Sequence, residues 1–332
     1  MKTVNLKFCD IKEKLPESIL NKFRKKVFED VNLYPKNYEV LTAKLARKHG
    51  VRKENIALTN GVDGGIELLA RIFGRNTLVF TPTYYEFYDA PKRNGLKVTV
   101  INALHGKLFK PEADKAKLRN RSLIYLCNPN MPLGLLERKT VISIAKSTKG
   151  IVALDETYID FAGISAVPLI KRLPNLLILR SFSKGYALAG LRIGYIVGGK
   201  DLVDRIRTRM GLGIYPVASV SVNAAAIVLG EEDYFNCMRK GTIQRKEKFE
   251  RILKDRGFNV FPTQTNVSLI KFPSIRDADR FVRYLERNGI LVNQGDGVST
   301  YGLDRTFVRF ACGTDNEMRH VTNVIKKYKD GF

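Results

Sequence analysis

Between residues 56 and 211 the chain repeats one pattern: a short apolar run, a turn, and a stretch with helical spacing. "NIALTNGVDGGIELLARIF" reads as a strand, a Gly-rich turn and an amphipathic helix. Further apolar runs follow at 77–80, 97–101, 123–127, 151–154, 176–180 and 192–198, with helical patterns at 137–148 and 201–211. Alternation of this kind predicts an α/β fold, a mostly parallel sheet flanked by helices.

After about residue 230 the pattern changes. "DYFNCMRKGTIQRKEKFERILKDRG" reads as a long polar helix. Strands near 266–271 and 306–311 follow, with a helix near 276–288 between them. This predicts a smaller α+β domain, completed by the N-terminal segment. The expected division is 31–230 for the large domain, and 1–30 with 231–332 for the small one. A chain of 332 residues is long enough for both.

No apolar run approaches the ~20 residues of a membrane span. "MKTVNLKFCDIKEKLPESI" lacks the apolar core of a signal peptide, so a cytoplasmic protein is expected. Cys9, Cys127, Cys237 and Cys312 form no C-x-x-C pair and read as free thiols. The three histidines, His49, His105 and His320, are isolated, so no metal site is expected. The net charge of +24 invites a nucleic-acid reading. The charge is spread over separate segments, at 22–26, 205–209 and 326–329, and no RNA-binding signature accompanies it. No specific nucleic-acid partner is expected.

In a sheet of this class, chemistry collects where the strands end. The residues just past each strand are Asn60 to Asp63, Thr81 to Tyr85, Asn128 to Gly134, Asp155 to Tyr158, and Ser181 to Lys184. One edge thus receives a Gly turn, a tyrosine pair, an Asn-Pro turn, an acid and a lysine. Lys184, held near serines and Arg192, could form a Schiff base with an aldehyde cofactor that carries a phosphate. The phosphate needs donors. The "NGVDGG" turn opens a helix whose free N–H groups and dipole favour an anion. Ser181, Ser183 and Arg192 add hydroxyl and charged donors. Asp155 is the candidate partner for a pyridinium nitrogen. Each group alone has a plainer reading: a capped turn for Asp155, packing for the tyrosines, a solvated surface lysine for Lys184.

The string "LCNPNMPLG…ALDETYIDF…LRSFSKGYALAGLRIGY" resembles the fold-type I aminotransferases that use pyridoxal 5'-phosphate (PLP), most nearly the histidinol-phosphate aminotransferase branch. "TNGVDGGIELLARIF", "TPTYYEFY" and "FVRFACGT" follow the same order, and the likeness covers roughly 31–315. The resemblance implies that Lys184 holds PLP and later moves a proton, that Asp155 pairs with the ring nitrogen, and that Tyr158 reaches the ring's phenolic oxygen. It implies that Tyr84 stacks on the ring. The turn at Gly61, with the backbone of Val62 and Asp63, and Ser181, Ser183 and Arg192, would hold the phosphate. Tyr34, in "NLYPK", would reach the phosphate of a neighbouring subunit, which implies a homodimer. Arg309 would grip an anionic group of the substrate.

Three departures bear on substrate. Met131 stands where the resembled family has an asparagine that donates to the phenolic oxygen, and a thioether cannot donate. Tyr158 would remain, unless Asn130 reorients. The family's N-terminal N-E-N-P segment is not recognisable. Asn293 stands where that branch has an arginine for substrate phosphate, and Arg305, in "GLDRTF", is the residue placed to compensate. The implied activity is amino transfer between a small amino compound, histidinol phosphate or an aromatic amino acid, and a 2-oxo acid such as 2-oxoglutarate. A PLP decarboxylase or lyase of the threonine-phosphate decarboxylase type would share the same contacts. A basic binding protein retaining the fold is the reading from another class.

Overall fold

A computed structural model describes residues 3–35, 37–210, 216–296 and 302–328. Its main sheet has seven strands. Across the sheet they run Ile56–Asn60, Ile193–Gly198, Leu176–Ser181, Ile151–Asp155, Leu123–Cys127, Asn76–Thr81 and Lys97–Asn102. All neighbours are parallel except Ile193–Gly198, which is antiparallel to both strands beside it. The apolar runs match these strands closely. Their continuous hydrophobicity has a direct cause: Leu176 and Ile178 pack into the cluster on one face of the sheet, Leu177 and Leu179 into the cluster on the other. Burying each such side chain stabilises the fold by roughly 1.5–3 kcal/mol.

The helix Gly61–Phe73 covers one face with Ile66, Leu69, Ala70 and Phe73, at helical spacing. Gly61 has φ +66°, the left-handed turn that lets the chain leave the strand and enter the helix at once. Gly65 allows the close approach that follows, since a Cβ there would come within 2.7 Å of Leu179 Cδ2.

The smaller unit is an antiparallel sheet ordered Asn259–Phe261, Val267–Lys271, Phe307–Ala311 and Asn293–Gln294. Its core is built around Phe249, Phe281 and Phe310, from the helices Glu232–Asp255 and Ile275–Arg287 and the central strand. Residues 3–30 divide between the two units. Val4 and Asn5 pair with Ile290 and Leu291, and Leu6 joins the small core. Ile19 and Val27, at either end of the helix Glu17–Lys26, pack into the cluster under the large sheet. No helix among the described residues is long and apolar enough to cross a membrane. All four cysteines are free.

Candidate active site

The carboxyl ends of the parallel strands meet the small unit around a cavity of about 380 Å³. Lys184 reaches it because of a local turn. The strand ends at Ser181, whose Oγ accepts a hydrogen bond from the Ser183 N–H at 3.0 Å. That bond folds the chain back over the strand end and presents Lys184 to the cavity. Gly185 follows, held by Arg239 Nη1 donating to its carbonyl at 2.9 Å. A Cβ at Gly185 would lie 2.4 Å from Asp160 Oδ2, so only glycine fits. Beneath the turn, buried Arg180 pairs with Glu156 at 3.1 Å and Asp160 at 2.6 Å, which ties the lysine loop to the loop after Asp155. Lys184 Nζ itself has a loose partner, Asp10 Oδ1 at 3.4 Å.

Asp155 ends the neighbouring strand and is buried. Its Oδ1 accepts from the Thr157 N–H at 2.8 Å. Among the described residues no cation pairs with it. Burial pushes its carboxyl up to about 6; the Thr157 hydrogen bonds oppose this, and Asp63 and Glu156 add to it.

Arg192 sits at φ +47° and turns its guanidinium back toward the start of the helix Gly61–Phe73. Its Nη2 lies 2.5 Å from Asp63 Oδ2, and its Nη1 donates to the Ala189 carbonyl at 3.3 Å. A Cβ at Gly61 would meet that Nη2 at 3.0 Å. Tyr84 O–H donates to Asp63 Oδ1 at 3.0 Å, and its ring lies 4.7 Å from that of Tyr85. Burial first, then Asp63, holds the Tyr84 phenol well above its ordinary value, so it stays protonated.

Arg309 enters from the small unit, on the strand Phe307–Ala311. It is buried, donates from Nη1 to the Met131 sulfur at 3.1 Å and from Nη2 to the Lys7 carbonyl at 2.9 Å. Its cross-strand neighbour is Asn293. Tyr158 packs with Met131 and Cys9, and burial raises its phenol while Arg309 pulls the other way.

Lys184, Asp155, Tyr158, Tyr84, Val62, Asp63, Ser181, Ser183, Arg192 and Arg309 thus line the same cavity. Gly61 stands behind Arg192, not on the wall. Two residues singled out from the sequence lie elsewhere. Tyr34 is 82% exposed and away from the cavity of its own chain. Arg305 does not line it either. It donates from Nη2 to both carboxylate oxygens of Asp279, on the helix Ile275–Arg287, at 2.8 and 2.9 Å. Asn130 is buried in its own turn, donating from Nδ2 to the Pro82 carbonyl at 3.0 Å and accepting from the Leu133 N–H at 3.4 Å.

Lys7, Phe8 and Cys9 also wall the cavity, though no motif in the sequence points to them. The segment carries no recognisable motif and is positioned by its backbone: Asn266 Nδ2 donates to the Cys9 carbonyl at 3.1 Å, and Arg309 holds Lys7. Thr157 and Tyr85 were missed too, although both lie in strand-end loops already read as chemical.

Residues 2–325 match the family described as Aminotransferase class I and II. The chain belongs to that family. It is 32% identical over 317 residues to the histidinol-phosphate aminotransferase of Ruminiclostridium cellulolyticum, covering 91% of this chain and 86% of that one. Its structure superposes on histidinol-phosphate aminotransferase from Sinorhizobium meliloti in complex with pyridoxal-5'-phosphate, with TM-score 0.82 at 24% identity, over 98% of this chain and 91% of that one. It also superposes on L-threonine-O-3-phosphate decarboxylase from Porphyromonas gingivalis, with TM-score 0.81 at 23% identity, over 97% and 98% of the two chains. The family uses PLP, and the residues of this aminotransferase suit it. The wall offers a half-buried amine at Lys184, a buried carboxylate at Asp155 with no cation of its own among the described residues, and a helix N-terminus with Arg192 beside it.

Proposed function

We propose that this aminotransferase moves an amino group from a small anionic amino compound, histidinol phosphate or an aromatic amino acid, to a 2-oxo acid such as 2-oxoglutarate. The observation that carries the reading is the placement of Lys184, Asp155 and Arg309 on one cavity wall. Bound PLP supplies an electron-accepting ring that stabilises negative charge at the substrate Cα. The chain supplies the rest. Lys184 would hold the cofactor through its amine and, as a free base, would take the proton from the substrate Cα. Asp155, as a carboxylate, would keep the ring nitrogen protonated, and a cation held beside it would bring its carboxyl back down from about 6. Tyr158 holds the phenolic oxygen. The N–H groups of Val62 and Asp63, with Ser181, Ser183 and Arg192, hold the phosphate; Asp63 now occupies Arg192 and would share it.

Arg309 is placed to grip the substrate's anionic group, already oriented by Met131 and the Lys7 carbonyl. Asn293 beside it offers an amide where a second cation would strengthen phosphate binding. Weak selectivity for histidinol phosphate over unphosphorylated aromatic donors follows. The working unit in this reading is a homodimer in which Tyr34 serves the partner's phosphate site. The exposed apolar run Phe28, Val31, Leu33 and Tyr34 supports that contact.

The test is a panel of amino donors, read by single-turnover conversion of the cofactor to its amine form and by product analysis. Transfer to 2-oxoglutarate with glutamate formed supports the proposal. Release of carbon dioxide without amine transfer replaces it with a decarboxylase. A protein with no borohydride-reducible link to PLP is a scaffold that only retains the fold.

A further inference from the structure

We propose that the opposite edge of the large sheet carries a second site, for a compact oligophosphate anion. Three loops enter adjacent parallel strands there, just before Asn76, Leu123 and Ile151, and the helix Lys200–Met210 lies beside them. They enclose a cleft of about 590 Å³. Its charged lining is Arg75, Arg119, Arg121, Lys149 and Arg205, with no carboxylate. None of these five has an ion-pair partner among the described residues. A chain with 57 Lys and Arg against 33 Asp and Glu has many basic faces. This one differs because it is concave and carries cations alone. The adjacent cleft, by contrast, is lined by Asp201 and Asp204 as well as by Arg205 and Arg209.

The floor is built, not loose. Asn76 N–H donates to Ser122 Oγ at 2.7 Å, and Ile151 N–H donates to the Ser122 carbonyl at 2.9 Å. Arg121 is fixed by Nη1 donating to Asn76 Oδ1 at 2.8 Å and Thr99 Oγ1 at 2.6 Å, and by Nε donating to the Lys117 carbonyl at 2.7 Å. A Cβ at Gly150 would lie 2.0 Å from the Arg121 carbonyl, so glycine is what brings the third loop this close. Five like charges around one hollow raise a positive potential there, which water and salt screen in part and a bound anion lowers further. The shape selects which anion. A nucleic-acid strand needs an extended basic track with bases stacked on exposed rings. Here the one aromatic ring, Phe73, is buried, and Arg205 lies over it at 5.0 Å. A short phosphate chain of high charge density fits, and a base finds no stacking face.

The two sites sit at opposite ends of the same strands. Ser122 lines the cleft and Cys127 the active-site cavity, so roughly 15 Å of strand separates them. Binding of one anion does not displace the other.

The probe is tripolyphosphate, titrated calorimetrically into PLP-loaded enzyme at low salt. The expected result is one site per chain, weakened about tenfold or more in Arg119→Glu/Lys149→Glu, since two charge-assisted contacts are lost. Both side chains are exposed, and the cofactor's visible absorbance and turnover should stay as in the parent. The control Lys25→Glu/Lys26→Glu changes net charge equally on a distant helix and should leave binding unaltered. ATP binding no tighter than tripolyphosphate supports recognition of the phosphate chain alone. No binding, several weak sites per chain, equal loss in both double variants, or a single-stranded RNA that binds tighter and depends equally on both pairs would each overturn the proposal.

Discussion

The Arg309 guanidinium donates from Nη1 to the Met131 sulfur at 3.1 Å, across 178 residues of sequence. Met131 therefore has a partner in this protein other than the cofactor ring. Replacing it with leucine keeps the volume and deletes the acceptor. Met131→Leu should raise KM for an anionic donor about 2- to 10-fold, the range of one modest hydrogen bond, with little change in kcat. An unchanged KM would show that the sulfur does not orient Arg309. Met131→Asn restores an acceptor and adds a donor, and should lower the pH midpoint of the cofactor's visible absorbance if residue 131 also faces the phenolic oxygen.

Lys184→Ala should fold as the parent does. The lysine's partner, Asp10, is half exposed at 3.4 Å, and such pairs are worth little, so stability should change by less than about 1 kcal/mol. Turnover and the borohydride-reducible link to PLP should both vanish. A variant that keeps the link would move the assignment to another lysine.

Asp155 ties stability to pH. Burial raises its carboxyl to about 6 in the cofactor-free protein, above the ~3.9 of an unfolded aspartate. Between those values the folded state holds a proton that the unfolded chain has released. Stability from this residue therefore falls as pH rises from about 4 to 6, and the full penalty stands above 6. Cofactor-free Asp155→Asn should be the more stable form at pH 8, by on the order of 2 kcal/mol, and the gap should close below about pH 4. Denaturant unfolding of both proteins at the two pH values measures it, and a gap independent of pH would contradict a buried, raised carboxylate. In the PLP-loaded enzyme the same change should cut turnover about a hundredfold or more, since an amide cannot hold the ring nitrogen's proton.

Tyr34 is exposed on its own chain, and the proposal assigns it to a partner's site. Mixed Tyr34→Ala and Lys184→Ala subunits should recover activity absent from either alone, because one hybrid site then carries neither change. Full activity in a species that sediments as a monomer would exclude the shared site.

Arg305 is held by Asp279, so Arg305→Ala should leave the ratio of kcat/KM for histidinol phosphate and phenylalanine unchanged. Lys7 lies on the cavity wall, and Lys7→Ala should lower that ratio if its ammonium assists the phosphate. A ratio that collapses in the Arg305 variant would return the phosphate contact to Arg305.

The chain's local order read directly from the sequence. Runs such as "LIYLC" and "IVAL" are apolar on consecutive residues because both faces of those strands are covered, a property written within five residues. The residues beyond such strands follow from the same reading, which is how Asp155, Ser181 and Lys184 could be placed on one edge. What the sequence left undecided involves partners far apart along the chain. That Ile193–Gly198 runs antiparallel depends on the path of the loop before it, not on its composition. Lys7 and Arg309 meet across 302 residues, and Asp279 on a helix captures Arg305 in the turn before the strand Phe307–Ala311. The five cations of the far cleft come from four separate segments. Side-chain pattern specifies burial residue by residue, because the hydrophobic effect acts on each side chain where it stands. Which charge meets which, and which loop closes a cavity, is settled only when the whole chain packs and each buried polar group takes the partner within reach.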